Sequence, residues 1–597
     1  MKRKLLPLLL FVTLFYACKK DSVNPDARKD DGTFNTYEST FLDNLWKENP
    51  DWATQEGYHK YDSILIVPSS KNRGKLIDFY KSQLDSLSRY TITQLSPGNQ
   101  MDYNIIQNQM QYQQWQLELL KQYEWDPTYY NVLGSFAYIL NEHYAPLDVR
   151  LRHFYQKMAN VPEYYKEAEK GIKNPVAELT ALAIDQHING LSVFEKDLAD
   201  SLKKSKIPDA EQKLILDRAT ASATAVKGFA DWLKNMKNDH PRNFRLGKEF
   251  YDDKFKFELQ SQYTSQQIFN SATERKKYVH HQMAQISRQL WPKYFGTATM
   301  PTDSLVLISK MLDTISSKHV DRENFQSSIE LLIPKLASFV QSKDLVTLDA
   351  SKPLAVRKEP GYMGGGGAGA SMSSPGPYEK NGVSYFNVGS LAGYSPEAAE
   401  SYLREYNNYT LQILCIHEAI PGHYVQLVYA NQSPSLIKSV FGNNTMIEGW
   451  AVYGEQMMLD NGYGNNEPEM RLMWYKWHLR SVCNMILDYS VHSSGMTKDD
   501  AIKFLTTEAF QQKIEAENKW KRVTVSSVQL DCYYTGYKEI MDLREAWKKD
   551  QGVNYSLKGF NEKFLSYGSA PVKFIKEAMM RKDASTNTST SSSGSNH

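Results

Sequence analysis

The chain has 597 residues, 41% hydrophobic and 12% aromatic, which is enough apolar material for a large core and too long for one typical domain. Its 70 basic and 68 acidic residues leave a net charge of +2, so no overall field attracts a polyanion. Composition therefore favours one large body or two lobes, and we expect no nucleic-acid partner.

Both ends of the chain are predicted to lie outside the folded body. The start, MKRKLLPLLLFVTLFYAC, has a basic beginning and an apolar stretch too short to span a membrane as a helix. Ala17 and Cys18 resemble a bacterial lipobox, although the two aromatic residues before Ala17 are bulkier than usual. We predict a signal peptide over 1–17, a lipid anchor on Cys18, a flexible tether over 18–34 and a disordered tail over 583–597. An ordinary signal peptide is the alternative.

The anchor implies an exported protein held at a bacterial membrane. The residues after Cys18, KKDS, lack an acidic cluster, which favours the periplasmic face of the outer membrane. The remaining cysteines, Cys415, Cys483 and Cys532, are an odd set within apolar or aromatic runs. They are predicted to be buried thiols and not a disulfide framework.

Residues 35–345 are predicted to form a helical N-terminal lobe. Apolar residues recur there at helical spacing, as in TERKKYVHHQMAQISRQLWPKYF, and short polar breaks such as NDHPRNF separate the segments. His280 and His281 lie together in one of these helices. We interpret this pair as structural and not as ligands.

The composition changes at residues 358–377, which read KEPGYMGGGGAGASMSSPGP. The run cannot hold a regular helix, and no G-K-[ST] follows the glycines as in a phosphate-binding loop. We interpret it as a mobile flap beside a cleft, with a plain linker as the alternative. The next stretch, GVSYFNVGSL, alternates aromatic and small residues, which predicts a strand that contains Tyr385 and Asn387.

His417 to His423 reads HEAIPGH, which differs from the zinc-peptidase signature H-E-x-x-H. On a regular helix, a histidine six positions after the first would lie roughly 120° away from it, on the wrong face. Pro421 cannot donate the backbone hydrogen bond that a regular helix needs. We therefore predict a bulge that brings His423 back beside His417.

A catalytic zinc ion needs a third protein ligand, and two glutamates follow at a suitable spacing. The segment MIEGWAVYGEQM, 25 residues after His423, contains Glu448 and Glu455. Seven residues is about 700° of helix, so both carboxylates are predicted to project from one side. One can bind the metal while the other orients a ligand or the substrate.

Five segments of the chain resemble one known family. They resemble the catalytic half of the bacterial domain of unknown function 885 family and are, in chain order, HEAIPGH, EGWAVYGEQ, LDYSVHSSG, QLDCYYTG and FNEKFLSYGSAP. The resemblance covers about 380 to 577 closely and the N-terminal lobe more diffusely. The family is similar to zincin-fold metallopeptidases, and many of its members are lipoproteins. The resemblance implies a mainly α, gluzincin-type fold with two helical lobes around a cleft, a small β element near the site, and a catalytic zinc-binding region over 346–582.

The resemblance also implies roles for individual residues. His417, His423 and Glu448 would bind one zinc ion, and Glu418 would be the general base and acid. Zinc agrees with a donor set of two imidazoles and one carboxylate. Glu455 matches the second glutamate of the family motif and would support a ligand or the substrate.

A hydrolase of this type needs a donor for the tetrahedral oxyanion, often a tyrosine or histidine. The residues that match the family are His492 and Tyr533. Tyr534 is less favoured, because the family places its tyrosine three residues before a glycine, here Gly536. Asp488, four residues before His492, would orient that imidazole.

The remaining matches concern the substrate. Arg480 fits an arginine of the family and would bind a substrate carboxylate or pair with Asp488. By resemblance to other zincins, the strand with Tyr385 and Asn387 would be an edge strand that pairs with peptide backbone. The chain departs from the family in the four glycines and in SVHSSG, which leaves the substrate preference open.

The sequence therefore predicts a zinc-dependent peptidase that acts on short peptides outside the cytoplasm. Hydrolysis of a non-peptide amide is compatible with the same residues. The alternative from another class is a non-catalytic nutrient-binding or scaffold lipoprotein of the outer membrane, which length, helicity and aromatic content also suit. Such a protein has no use for HEAIPGH followed by Glu448.

Overall fold

The computed structural model describes residues 28–360, 369–379 and 382–581. The protein is mainly helical with one small sheet, as predicted. The predicted signal peptide, Cys18 and the predicted tail over 583–597 lie outside the described residues, as do 361–368 within the predicted flap.

Within the described chain, the helices before the sheet are α1 Asp31–Glu48, α2 Pro50–Gln55, α3 Ser70–Leu87, α4 Pro97–Trp115, α5 Gln122–Trp125, α6 Leu133–Asn141, α7 Leu147–Lys157, α8 Val161–Gly171, α9 Ala177–Asn189, α10 Lys196–Lys203, α11 Asp209–Asn235, α12 Lys248–Leu259, α13 Ser265–Phe295, α14 Ser304–Ser316 and α15 Phe325–Ser342. The longest of them, α13, begins at a capping box. Thr264 Oγ1 accepts from the Gln267 amide, and the Gln267 side chain accepts from the Thr264 amide.

Further helices follow the sheet: α16 Pro396–Glu405, α17 Thr410–Glu418, α18 His423–Asn431, α19 Leu436–Val440, α20 Asn444–Asp460, α21 Pro468–Ser494, α22 Lys498–Thr507, α23 Lys513–Val525, α24 Cys532–Gln551, α25 Leu557–Leu565 and α26 Val572–Met579. Two starts are set by side-chain caps. Ser395 accepts from the Ala398 amide before α16, and Asn443 accepts from the Met446 amide before α20.

The sheet has the strands β1 Leu354–Lys358, β2 Ala370–Ser373 and β3 Ser384–Val388, in the order β1-β3-β2. β3 pairs in parallel with β1 and antiparallel with β2. The strand predicted around Tyr385 is thus present, but the prediction that it lies at an edge is wrong, because β1 and β2 cover both of its sides. β2 comes from the end of the glycine-rich run, and it packs against α17.

Hydrophobic packing does not divide the chain at residue 345. The main core contains Phe34 and Trp291 from the predicted N-terminal lobe together with Trp450 from the predicted catalytic region. A separate, smaller core lies within residues 65–233 and contains Phe136. The boundary predicted between 345 and 346 is therefore not a boundary between two cores.

The predicted tether over 18–34 extends too far into the chain. Helix α1 begins at Asp31, and the Phe34 side chain is completely buried against Tyr90 and other aromatic residues. This burial holds residues 31–34 in the folded body. Over the described residues, no helix is long and apolar enough to cross a membrane. Cys415, Cys483 and Cys532 are buried free thiols, as predicted.

Candidate metal centre

The motif HEAIPGH joins two helices and does not lie in one bulged helix as predicted. α17 ends at Glu418 and α18 begins at His423, with a cis peptide bond between Ile420 and Pro421. The Gly422 amide donates to Ile416 O at 3.0 Å, and a Cβ on Gly422 would lie 1.8 Å from His417 O. Only glycine allows this close approach. The turn brings the imidazoles of His417 and His423 to a centroid distance of 4.8 Å.

Helix α20 supplies two carboxylates to this pair of imidazoles. Glu448 Oε2 lies 3.5 Å from His417 Nε2 and 3.3 Å from His423 Nε2. Donor atoms about 2.1 Å from a tetrahedral zinc ion lie ~3.4 Å from one another. Both distances from Glu448 Oε2 therefore match the spacing between two ligands of one such ion.

Glu455, two turns after Glu448 on α20, fixes the orientation of the first histidine. Its Oε1 lies 2.7 Å from His417 Nδ1 and also accepts from Trp477 Nε1 at 2.9 Å. Because an ionised carboxylate only accepts, His417 carries its hydrogen on Nδ1 in the neutral form. Its Nε2 then turns a lone pair toward Glu448 Oε2, and a second proton on the ring or a metal cation between the two atoms makes this approach favourable.

The electrostatics of the cluster favour a positive charge. Burial alone would lower the pKa of His417, but its contacts with Glu448 and Glu455 raise the pKa well above the usual range. Burial opposes ionisation of Glu448, yet His423 and His417 lower its pKa. His423 Nδ1 and Glu448 Oε2 are buried without a hydrogen-bond partner among the described residues. With neutral histidines and ionised glutamates, the site has a net negative charge that a divalent cation would largely offset.

Two carboxylates compete for the place of third ligand. Glu418 has an oxygen within 4.8 Å of ligand atoms of both histidines, so His417, Glu418 and His423 also form a possible set. Glu448 Oε2 lies 3.3 and 3.5 Å from the two Nε2 atoms, and the histidines lower the pKa of Glu448, whereas burial raises the pKa of Glu418. We therefore assign Glu448 as the better ligand. This leaves Glu418, a buried carboxyl whose pKa is raised by burial, beside the centre for proton transfer.

Tyr533 lies near Glu448 because two helices touch through glycines. A Cβ on Gly449 would lie 2.4 Å from the backbone of Gly536, so α20 and α24 pack with almost no side chain between them. Tyr533 lies one turn before Gly536, and Glu448 directly precedes Gly449. Burial, and then the nearby Glu448 carboxylate, raise the pKa of Tyr533. Tyr534, in contrast, points away, with its hydroxyl 2.9 Å from Ser271 Oγ.

His492 and Asp488 are engaged elsewhere. His492 Nε2 lies 2.9 Å from Val523 O and 3.1 Å from Ser526 O. Asp488 Oδ1 accepts from the Val528 amide at 2.8 Å. Both side chains thus fasten the segment after α23, and the oxyanion role predicted for His492 has no support in its contacts. Asp488 does influence His492, because its negative charge opposes the lowering of the histidine pKa by burial.

Arg480 does not pair with Asp488, which was one of the two roles predicted for it. Its guanidinium contacts Glu405 Oε1 at 2.9 Å and Glu515 Oε1 at 2.8 Å. The second oxygen of Glu405 accepts from Lys476 Nζ at 2.7 Å. Since two protein carboxylates already occupy Arg480, it is a poor candidate for binding a carboxylate of the substrate.

Tyr385 and Asn387 stabilise the sheet. Asn387 is fully buried, accepts from Arg357 Nε at 2.6 Å and donates to Ser373 Oγ at 2.7 Å. The Arg357 guanidinium lies 3.9 Å from the centre of the Tyr385 ring. The side chains predicted to touch substrate therefore link β1, β2 and β3.

Trp477 was not expected from the sequence. It donates to Glu455 from a different helix, α21, and its ring lies 6.4 Å from that of His417. No motif or spacing relative to HEAIPGH marks it, because the contact depends on how α17, α20 and α21 pack.

Comparisons with known proteins agree with the resemblance noted in the sequence. The model of a family described as "Bacterial protein of unknown function (DUF885)" matches residues 50–579. A protein from Shewanella oneidensis described as a lipoprotein of unknown function is 47% identical, with a TM-score of 0.84 over 92% of this chain and 100% of its own. A protein from Colwellia psychrerythraea described as a lipoprotein shares 14% identity and the fold, with a TM-score of 0.75 over 92% of this chain and 98% of its own. No curated protein matches. The family match extends over most of the chain, so the protein belongs to the DUF885 family of bacterial proteins of unknown function.

Proposed function

We propose that the protein is a zinc-dependent peptidase with a zincin-like active site, acting on short peptides. The observation that carries the proposal is the convergence of His417 Nε2, His423 Nε2 and Glu448 Oε2 at 3.3–3.5 Å, with Glu418 beside them. Two imidazoles and one carboxylate favour zinc over magnesium or calcium. Zinc bound by three protein groups supplies a Lewis acid and lowers the pKa of water to about 7.

The side chains around the centre have separate tasks in this proposal. Glu418 takes a proton from the attacking water and passes it to the leaving amine, a role in which burial helps because it raises the carboxyl pKa toward neutrality. Glu455 keeps the hydrogen of His417 on Nδ1 and so directs Nε2 into the centre. Tyr533 donates its hydroxyl hydrogen to the oxyanion. The donation is possible at neutral pH because burial and Glu448 raise the tyrosine pKa.

We assign to strand β2 the pairing with peptide backbone that was predicted for β3. One side of β2 pairs with β3, and among the described residues no strand pairs with its other side. The strand also packs against α17, which ends in His417 and Glu418. An extended peptide that adds to this edge would gain backbone hydrogen bonds beside the centre.

We further propose that Cys18 carries a lipid anchor at the periplasmic face of the outer membrane. Support comes from the lipobox-like start of the sequence. It also comes from the similar protein of Shewanella oneidensis, which is described as a lipoprotein. Such an anchor would let the folded body meet peptides in the periplasm. A purely nutrient-binding lipoprotein would have no need for a carboxyl such as Glu418 beside a metal centre.

The proposal is tested by metal content and peptide cleavage of the purified protein. We expect about one zinc ion per chain after zinc loading, and cleavage of members of a short-peptide library detected by mass spectrometry. A chelator should stop cleavage and added zinc should restore it. Protein that cannot be loaded with zinc would contradict the metal centre, and zinc-loaded protein that cleaves no peptide would contradict the peptidase.

Replacing Tyr533 by phenylalanine tests the oxyanion donor. We expect kcat to fall roughly 10²- to 10³-fold, the usual effect of removing one such donor, with little change in zinc affinity. Tyr534→Phe is the matched control, because its hydroxyl bonds to Ser271 and its loss should leave kcat near that of the wild type. Equal kcat values for Tyr533→Phe and wild type would remove Tyr533 from this role.

A further inference from the structure

Helix α23 carries a row of charged residues connected to both sides of the metal centre. Glu515, Lys519 and Arg522 are spaced by four and three residues, so they share one face of the helix. At the C-terminal end of the row, Arg522 lies close enough to Tyr533 to oppose the rise in the tyrosine pKa. Tyr533 in turn lies beside Glu448.

The N-terminal end of the row connects to the other side of the centre. Glu515 accepts from Arg480 at 2.8 Å, and the Arg480 guanidinium lies 5.1 Å from the centre of the Trp477 ring. Trp477 donates to Glu455, the carboxylate that holds His417. Lys519 lies on α23 between Glu515, whose contacts lead to His417, and Arg522, which lies near Tyr533.

Lys519 is a buried cation without a carboxylate in contact. The residue is 6% exposed, and among the described residues no hydrogen bond or ion pair joins its ammonium group to another side chain. Its charged neighbours are the cations Arg480 and Arg522 and the carboxylates Glu515 and Glu405. Burial, and then Arg480, lower the pKa of Lys519 to about 7. Both carboxylates already contact other cations, so the Lys519 ammonium has no carboxylate in direct contact.

Other buried lysines of the same protein do contact a carboxylate. Lys476 Nζ lies 2.7 Å from Glu405 Oε2, and Lys438 Nζ lies 2.8 Å from Asp102 Oδ1. Lys519 therefore lacks the contact with an anionic group that these structural lysines have. A bound anion would supply that contact. A packed but functionless lysine is the simpler explanation, and it predicts no effect of Lys519 on the choice of substrate.

We propose that Lys519, with Arg522 nearby, binds the free C-terminal carboxylate of the peptide substrate. The inference rests on the proposed peptidase function and adds a substrate class to it, namely peptides cleaved near a free C-terminus. An ammonium group pairs with one carboxylate through charge-assisted hydrogen bonds. Arg480, which was predicted to bind a substrate carboxylate, is already paired with Glu405 and Glu515.

The test uses two N-acetylated short-peptide libraries of identical sequences, one with C-terminal carboxylates and the other with C-terminal amides. We expect the zinc-loaded wild type to cleave the acids with a kcat/KM at least roughly tenfold above that of the amides. In Lys519→Met, kcat/KM for the acids should fall roughly 10- to 100-fold, as for loss of a charged hydrogen bond, and that for the amides should stay unchanged. Lys521→Met, an exposed lysine on the same helix, should behave as the wild type.

Two further measurements separate the possible explanations. Lys519→Met should bind zinc as the wild type does and melt at a higher temperature, because it removes a buried unpaired charge, whereas Lys519→Arg should keep part of the preference for acids. Equal cleavage of acids and amides by the wild type would overturn the carboxylate site and leave the peptidase intact, as would an unchanged preference in Lys519→Met. Cleavage of neither library by zinc-loaded protein would overturn the peptidase itself, and the carboxylate site with it.

Discussion

Replacing Glu418 by glutamine should remove nearly all peptide cleavage and leave zinc binding almost unchanged. Glutamine keeps the size of the side chain, which is only 9% exposed, but it cannot take a proton from water. Loss of a general base costs typically 10²- to 10⁴-fold in rate. The measurements are kcat on a peptide selected from the library and zinc content by elemental analysis of the same sample.

Two comparison variants make this result specific. Glu249→Gln, an exposed glutamate in the first turn of α12, should retain the kcat of the wild type. His417→Ala should lose zinc and cleavage together, since it removes a ligand and leaves Glu455 without its imidazole partner. If Glu418→Gln cleaves peptides as fast as the wild type, Glu418 is not the base and the proposed mechanism is wrong.

The helical fold could be predicted because its signals are local. Apolar residues at helical spacing predicted the N-terminal helices, and the buried cysteines followed from the apolar and aromatic runs around them. Local patterns do not reveal how segments distant in sequence pack. For this reason, the division predicted at residue 345 does not separate two cores, and Trp291 and Trp450 belong to one core.

The sheet also shows that local patterns do not reveal how distant segments pair. A strand around Tyr385 could be recognised from alternation, but its place within the sheet depends on partners that alternation does not specify. β1 precedes the glycines and β2 follows them, and together they enclose β3. Asn387 consequently bonds to Arg357 and Ser373 instead of facing substrate.

The centre itself could be predicted where residues lie close in sequence, and less well elsewhere. The positions of His417, His423, Glu448 and Glu455 follow from two short motifs, although the proline and glycine end one helix and start another instead of producing a bulge. Arg480 was assigned by its place in a motif, and its partners Glu405 and Glu515 come from other helices. No motif contains Trp477 or Lys519, because the contact of Trp477 depends on helix packing and Lys519 is distinguished by burial without a carboxylate in contact.

Replacing Glu448 by alanine should have the largest effect on the metal centre among the carboxylate variants. Glu448 Oε2 is the atom that reaches Nε2 of both histidines, at 3.3 and 3.5 Å, so its loss removes a direct ligand. Glu455→Gln is the matched comparison from the same helix, because Glu455 contacts the far nitrogen of His417. Removing a group that hydrogen-bonds to a metal ligand typically costs ~10- to 100-fold in metal affinity. We expect Glu448→Ala to exceed that loss and to abolish cleavage.

Competition with a chelator of known zinc affinity measures both variants, and circular dichroism checks that the helices remain. The experiment also decides between the two carboxylates near the histidines, because Glu418 has an oxygen within 4.8 Å of the ligand atoms of His417 and His423. If Glu448→Ala keeps the zinc affinity of the wild type while Glu418→Gln loses it, Glu418 is the third ligand. The general base would then have to be another group, since one carboxylate held in the metal's ligand set cannot also serve as the base that takes the proton.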